Sequence, residues 1–166
     1  TIVIGAGQAG LAASEHLTNK NIEHIIFEKD RIVERWRTSR WDSLVANGPA
    51  WHDRFPTLDF NGEDPDSFVS KNRVVEYFEE FAKKINAPIK LNIKVEKVEK
   101  QKSDRKYLLT TSKGIYESNN IIVATGAFQE PVIPNIIPEK SSVSQIHSQK
   151  YKNPKQFSDG AILVIG

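Results

Sequence analysis

The 166 residues contain no cysteine and no methionine. Without cysteine there is no disulfide framework, no thiolate metal site and no redox-active dithiol within this stretch, and no metal is expected. An excess of charge of one sign is missing too. The 23 basic and 21 acidic residues leave a formal net charge of +2, too little to point to nucleic acid as a partner. No apolar run approaches the roughly 20 residues that a membrane-spanning helix needs, so no membrane partner is expected. The opening residues read as a core strand rather than a signal peptide, and a cytoplasmic location is the expectation. The densest charge run, residues 94–106, mixes both signs and reads as the solvated face of a hairpin.

Against these absences, the first 28 residues are rich in pattern. Ile2, Val3 and Ile4 are β-branched, as in a strand buried on both faces. Gly5-Ala6-Gly7-Gln8-Ala9-Gly10 follows directly, and Leu11, Ala12, Ala13 and Leu17 then mark the apolar face of a helix ending near residues 19–21. A second short strand, residues 24–28, ends in Glu28. G-x-G-x-x-G between a strand and a helix is the dinucleotide-binding fingerprint. Gly5 permits the tight turn, Gly7 lets a pyrophosphate approach the backbone, and Gly10 lets helix and strand pack closely. The helix N-terminus offers free N–H groups and a positive dipole. An acid about 20 residues on can hold both hydroxyls of an adenosine ribose, and it would repel a 2′-phosphate. FAD and NAD both remain open at this site.

Residues 29–63 lose periodicity and are rich in tryptophan, arginine, asparagine and proline; a stretch that long inside a domain is usually functional. Ser70 reads as the N-cap of a helix through about Asn86, with Val74, Val75, Phe78, Phe81, Ala82 and Ile85 at helical spacing. Strands are expected at 89–102, 106–112, 114–118 and 121–124, then a proline-punctuated connection through 156 and a last strand from Ala161. The chain opens on a strand without a methionine and closes on an apolar run reaching Gly166, so both ends read as cuts in a longer protein.

Four stretches give the chain its resemblance to the flavin-containing monooxygenases and their Baeyer–Villiger and N-hydroxylating relatives. The glycine loop with Glu28-Lys29 is similar to the family's FAD site. Arg35-Trp36-Arg37 through Asn47-Gly48-Pro49, with Phe55-Pro56 beyond, resembles the segment that runs to the flavin. Val75-x-Tyr77 and Phe81-Ala82-Lys83 resemble the helix that covers the flavin domain. Ala124-Thr125-Gly126, followed by Pro131 and Pro134, is similar to the strand end and linker beside FAD. His147 and Tyr151-Lys152 match the second half of the family's identifying sequence, whereas Ser141 and Val143 replace the phenylalanine and glycine of its first half.

The resemblance implies an α/β fold: a Rossmann-like FAD-binding domain of the two-dinucleotide-binding type, with a central parallel sheet and a small antiparallel meander, truncated. It implies residues 1–160 as the FAD-binding domain and 161–166 as the first strand of an NAD(P)H-binding domain. FAD and NADPH are the implied cofactors. Dioxygen and a small organic substrate are the implied reactants, with a homo-oligomer compatible. Implied cofactor contacts are Gly5, Gly7, Gln8, Ala9, Gly10, Glu28, Lys29, Trp36, the backbone of Val95, Ala124, Thr125 and Gly126. Asn47 is the implied catalytic group, since its neutral amide can both donate and accept. By itself Asn-Gly-Pro is also turn chemistry. Arg35 and Arg37 read either as anion-steering or as solvated; Trp41 and Trp51 could stack on flavin or substrate, but large aromatics in an α/β domain are most often core. Two alternatives stay open: a non-catalytic NAD- or FAD-binding module, and a thioredoxin-reductase-like oxidoreductase.

Overall fold

The computed structural model describes residues 1–102, 106–138 and 141–165. Four short strands form a parallel sheet in the order β3-β2-β1-β7: β1 (Ile2–Ile4), β2 (Ile25–Phe27), β3 (Ile89–Lys90) and β7 (Ile121–Val123). Ile2 pairs with Ile25 on one side and Ile121 on the other, so β1 is central. A second, antiparallel sheet is the meander β4 (Val95–Lys100), β5 (Tyr107–Thr111) and β6 (Gly114–Ser118). The helices are α1 (Gln8–Asn19), the short α2 (Glu34–Thr38) and α3 (Lys71–Lys84).

Strand alternation sorts the core into two layers. Val3 and Ile26 point to one face, where they join Leu11 of α1 and Val74, Val75, Phe78, Phe81 and Ala82 of α3. Ile2, Ile4 and Phe27 point to the other and meet Ile93 and Leu109 of the meander side, with the Phe27 and Tyr116 rings 4.7 Å apart. The parallel sheet is therefore sandwiched between helices and meander. Burial on both faces explains why β1 and β2 are continuously apolar.

Ser70 caps α3, its Oγ accepting the Arg73 N–H at 3.3 Å. The buried face of α3 anchors an aromatic stack: Phe55 on Phe81 at 3.7 Å and Phe60 on Tyr77 at 3.8 Å between centroids. Tyr77 Oη accepts the Phe55 N–H at 2.6 Å and donates to the Leu58 carbonyl at 2.5 Å. These contacts give the aperiodic stretch 29–63 its shape, and α2 lies within it.

Two expected strands differ. The segment 89–102 is broken into β3 and β4, because Asn92 adopts φ +58° and turns the chain from one sheet to the other. Residues 161–165 form no strand, having no pairing partner among the described residues; Leu163 and Val164 are exposed. Residues 103–105 of the 94–106 charge run, part of the connection (139–140) and Gly166 lie outside the described residues.

Candidate functional site

The carboxyl ends of β1, β2 and β7 meet at the glycine loop, the edge of a parallel sheet where ligands bind. Gly5 N–H donates to the Phe27 carbonyl at 2.8 Å and Ala124 N–H to the Ile4 carbonyl at 2.9 Å. Gly5 has φ +107°, and a Cβ there would lie 2.5 Å from the Ala124 carbonyl oxygen; at Gly10 it would lie 1.9 Å from the Gly5 oxygen. Gly7 is different. A Cβ there would meet nothing within 4 Å, so the loop is open on that side.

The first intrahelical bond of α1 runs from Leu11 N–H to the Gly7 carbonyl. The N–H groups of Gln8, Ala9 and Gly10 therefore lack helical acceptors, and α1 has no side-chain cap and no acid in its first turn. Three free donors, the helix dipole and an open approach at Gly7 fit an anionic pyrophosphate. Glu28 stands at the end of β2 with its carboxylate turned to the loop: Oε2 accepts the Ala6 N–H at 2.8 Å, Oε1 the Asp30 N–H at 2.9 Å. Lys29 is exposed beside it. The Ile93 N–H donates to the Glu28 carbonyl at 2.9 Å, which brings the backbone leading into Val95 alongside the same strand end. Val95 itself pairs with Thr111, next to a register shift in β4.

The loop is also tied to α2. Val33 N–H donates to the Ala6 carbonyl at 3.2 Å, and Val33 then takes φ +50° and starts α2. A buried β-branched residue in the left-handed region is strained, and its burial and the hydrogen bond to Ala6 hold it there at the start of α2. Trp36 consequently faces the loop. It lines a cleft of about 240 Å³ together with Gln8, Ala46, Asn47, Asp53, Phe60, Val74 and Phe78. Gln8, Trp36 and Asn47, distant in sequence, are brought into one cavity. A wider cleft of about 580 Å³ lies at the opposite edge of the sheet, lined by Thr1, Ile2 and His24 among others, away from the glycine loop.

Beyond β7, Thr125 and Gly126 are exposed, with Gly126 at φ +81°. The Gln129 side chain donates to the Thr125 carbonyl, and Arg35 donates to the Gln129 carbonyl at 2.8 Å. Arg35 is thus committed to protein, as is Arg37, which pairs with Glu79. Trp41 and Trp51 are not core: they are 37% and 56% exposed, on the irregular stretch between α2 and α3, where no helix or strand face packs them against the sheet.

His147 caps a short 3-10 turn, its Nδ1 accepting the Gln149 N–H at 3.1 Å, and the segment that follows straps onto the end of α2. Lys152 Nζ donates to the carbonyls of Thr38 and, at 3.1 Å, Arg40. Asn153 Nδ2 donates to Asp42 at 2.6 Å; with Lys71 also beside it, the Asp42 carboxyl is held below its usual range.

Sequence reasoning missed Asp53 and Phe60, and marked Phe78 only as part of the apolar face of its helix, not as a wall of the cleft. Asp53 accepts the Gly48 N–H at 2.8 Å, and nothing in the spacing of residues 47–53 marks that contact.

The family model described as pyridine nucleotide-disulphide oxidoreductase matches residues 2–166. An uncharacterized oxidoreductase described as CzcO-like, from Geobacillus kaustophilus (strain HTA426), is 40% identical over 99% of the chain and 47% of its own length. The probable indole-3-pyruvate monooxygenase YUCCA4 of Arabidopsis thaliana is 31% identical over 99% of the chain and 40% of its own length. The chain thus spans less than half the length of these relatives. Among solved structures, S-allyl-L-cysteine S-oxygenase from Allium sativum superposes with a TM-score of 0.85 at 23% identity, over 95% of this chain and 43% of that one. With the glycine loop, the strand-end acid and a match along almost its whole length, the chain belongs to the pyridine nucleotide-disulphide oxidoreductase family.

Proposed function

We propose that the chain is the FAD-binding part of an NAD(P)H-dependent flavoprotein monooxygenase that passes one oxygen atom of dioxygen to a small organic substrate. The observation that carries this reading is the shared cleft. Gln8, from the first turn of α1 with its three free N–H groups, lines it with Trp36 and Asn47. A dinucleotide anchored on the loop would extend past an aromatic face and a neutral amide. The 31% identity to a plant protein named as a probable monooxygenase supports the oxygen-transfer chemistry.

In this reading Gly5, Gly7, Gln8, Ala9 and Gly10 cradle the pyrophosphate, and Glu28 holds the ribose hydroxyls beside Lys29. The Val95 backbone meets the adenine, while Ala124, Thr125 and Gly126 border the far side of the cofactor. Bound there, FAD supplies the electron transfer between NADPH and dioxygen. Trp36 and the Phe60–Phe78 wall exclude water. The Asn47 amide offers both a donor and an acceptor without an acidic proton. A dithiol–disulfide reaction has no cysteine to carry it in these 166 residues.

Oxygen-electrode recordings on the full-length protein with FAD and NADPH test the reading. Dioxygen uptake matched by an oxygenated thioether, amine or ketone is expected. NADPH oxidation that requires a disulfide and proceeds without dioxygen would overturn it.

A further inference from the structure

We propose that Asp53 is the positioning residue that sets Asn47 in the cleft, with His52 bracing Asp53 from the solvent side. The proposal rests on the reading of Asn47 as the group facing the cofactor.

Asp53 Oδ2 accepts the Gly48 N–H at 2.8 Å, and that N–H belongs to the peptide group joining Asn47 to Gly48. Its other oxygen, Oδ1, lies 2.8 Å from His52 Nδ1. Both carboxylate oxygens are therefore held, one by the peptide that carries Asn47 and one by an imidazole whose side chain is 65% exposed. A Cβ at Gly48 would fall 2.5 Å from Asp53 Oδ1 and 2.9 Å from His52 Nδ1. The carboxylate and imidazole thus occupy the space of a side chain at residue 48, so glycine there is a condition of the contact.

Closing the turn does not require the carboxylate. The N–H groups of His52 and Asp53 both donate to the Pro49 carbonyl, at 2.9 and 3.0 Å. On either side of the turn, Ala46 N–H is bonded to the Val69 carbonyl and Ala50 N–H to that of Ser67. What the side chain adds is the orientation of one peptide plane. Among the described residues lining the cleft, Asp53 is also the sole ionisable one, beside Asn47 itself. A charge-assisted hydrogen bond to a backbone N–H is directional and strong, as required to hold the 47–48 peptide plane, from which the Asn47 side chain departs, in one orientation.

The test uses the full-length, FAD-loaded protein as wild type and as Asp53→Ala, Asp53→Asn, Gly48→Ala, Asn47→Ala and Asp53→Ala/Asn47→Ala. Three quantities are read: the bound-flavin absorption spectrum, the fraction of oxidised NADPH that appears as hydrogen peroxide, and the thermal midpoint. Asp53→Ala is expected to shift the flavin bands and raise the peroxide fraction severalfold toward that of Asn47→Ala, with the protein still folded and its thermal midpoint lowered by a few degrees, about the cost of one charge-assisted hydrogen bond. The double variant should be no worse than Asn47→Ala alone. Asp53→Asn, whose amide oxygen still accepts the Gly48 N–H, should recover most of the coupling, and Gly48→Ala should mimic Asp53→Ala. A wild-type spectrum and peroxide fraction in Asp53→Ala, or full additivity in the double variant, would overturn the role of Asp53 alone. So would equal collapse of thermal midpoint and coupling in Asp53→Ala and Asp53→Asn. A wild type that takes up no flavin would overturn the functional reading and this proposal with it.

Discussion

Glu28 reaches back across the chain to Ala6: its Oε2 accepts the Ala6 N–H at 2.8 Å, at the heart of the glycine loop. Each carboxylate oxygen has capacity for more than one hydrogen bond, so Glu28 can shape the loop and still accept ribose hydroxyls. Hydrogen bonds to charged groups contribute about 1.5–3 kcal/mol. Glu28→Ala should therefore weaken FAD binding by about 10- to 100-fold, and Glu28→Gln by less, in a fluorescence-quenching titration. Equal affinity in all three proteins would contradict the assignment.

Gly7 and Gly10 should separate binding from folding. A methyl at Gly10 would collide with the Gly5 carbonyl at 1.9 Å, while at Gly7 it would enter open space. Gly10→Ala should destabilise the protein by about 1–3 kcal/mol or more in thermal unfolding. Gly7→Ala should keep its stability within about 0.5 kcal/mol, as at an unconstrained surface position. It should still lose about 1.4 kcal/mol or more of FAD binding, a factor of ten, because the methyl would stand where the proposed reading brings the pyrophosphate to the loop. Paired melting and FAD titrations check both, and an unaltered Gly7→Ala affinity would place the phosphates elsewhere.

Asn47→Ala should leave FAD bound and raise the share of NADPH oxidation that ends as hydrogen peroxide. Peroxide assayed against NADPH consumed is the measurement, and unchanged coupling would remove Asn47 from the chemistry.

Tyr77 ties Phe55 to Leu58 through its hydroxyl, and burial raises its pKa above the ordinary 10.0. The unfolded chain therefore releases this proton at lower pH than the folded one. The contribution is complete below about pH 10 and is lost as pH rises through the folded value. Tyr77→Phe strands a buried N–H and should cost about 1–3 kcal/mol at neutral pH. It should also flatten the alkaline fall in stability measured by denaturant unfolding, and an unchanged alkaline slope would contradict the assignment.

Much of the sheet was legible because its signals are local. Ile2-Val3-Ile4, the glycine spacing and the Ser70 cap each depend on near neighbours, and each element formed where expected. The cleft was legible only in part. Trp36 and Asn47 stood out by type and order, but what brings them together is long-range: the Val33–Ala6 hydrogen bond, the strained start of α2 and the Phe55–Phe81 stack. Asp53 escaped notice because its partner is a backbone N–H, which leaves no trace in residue type. Arg35 was readable as a basic residue; its engagement with Gln129, far along the chain, was not.

The most direct test is the visible absorbance spectrum of the full-length protein before and after NADPH is added in air. The account predicts oxidised-flavin bands that bleach and then return, with hydrogen peroxide or an oxygenated product formed. A colourless protein that ignores added FAD and binds NAD instead would contradict the flavoprotein assignment, leaving only the fold and the glycine loop.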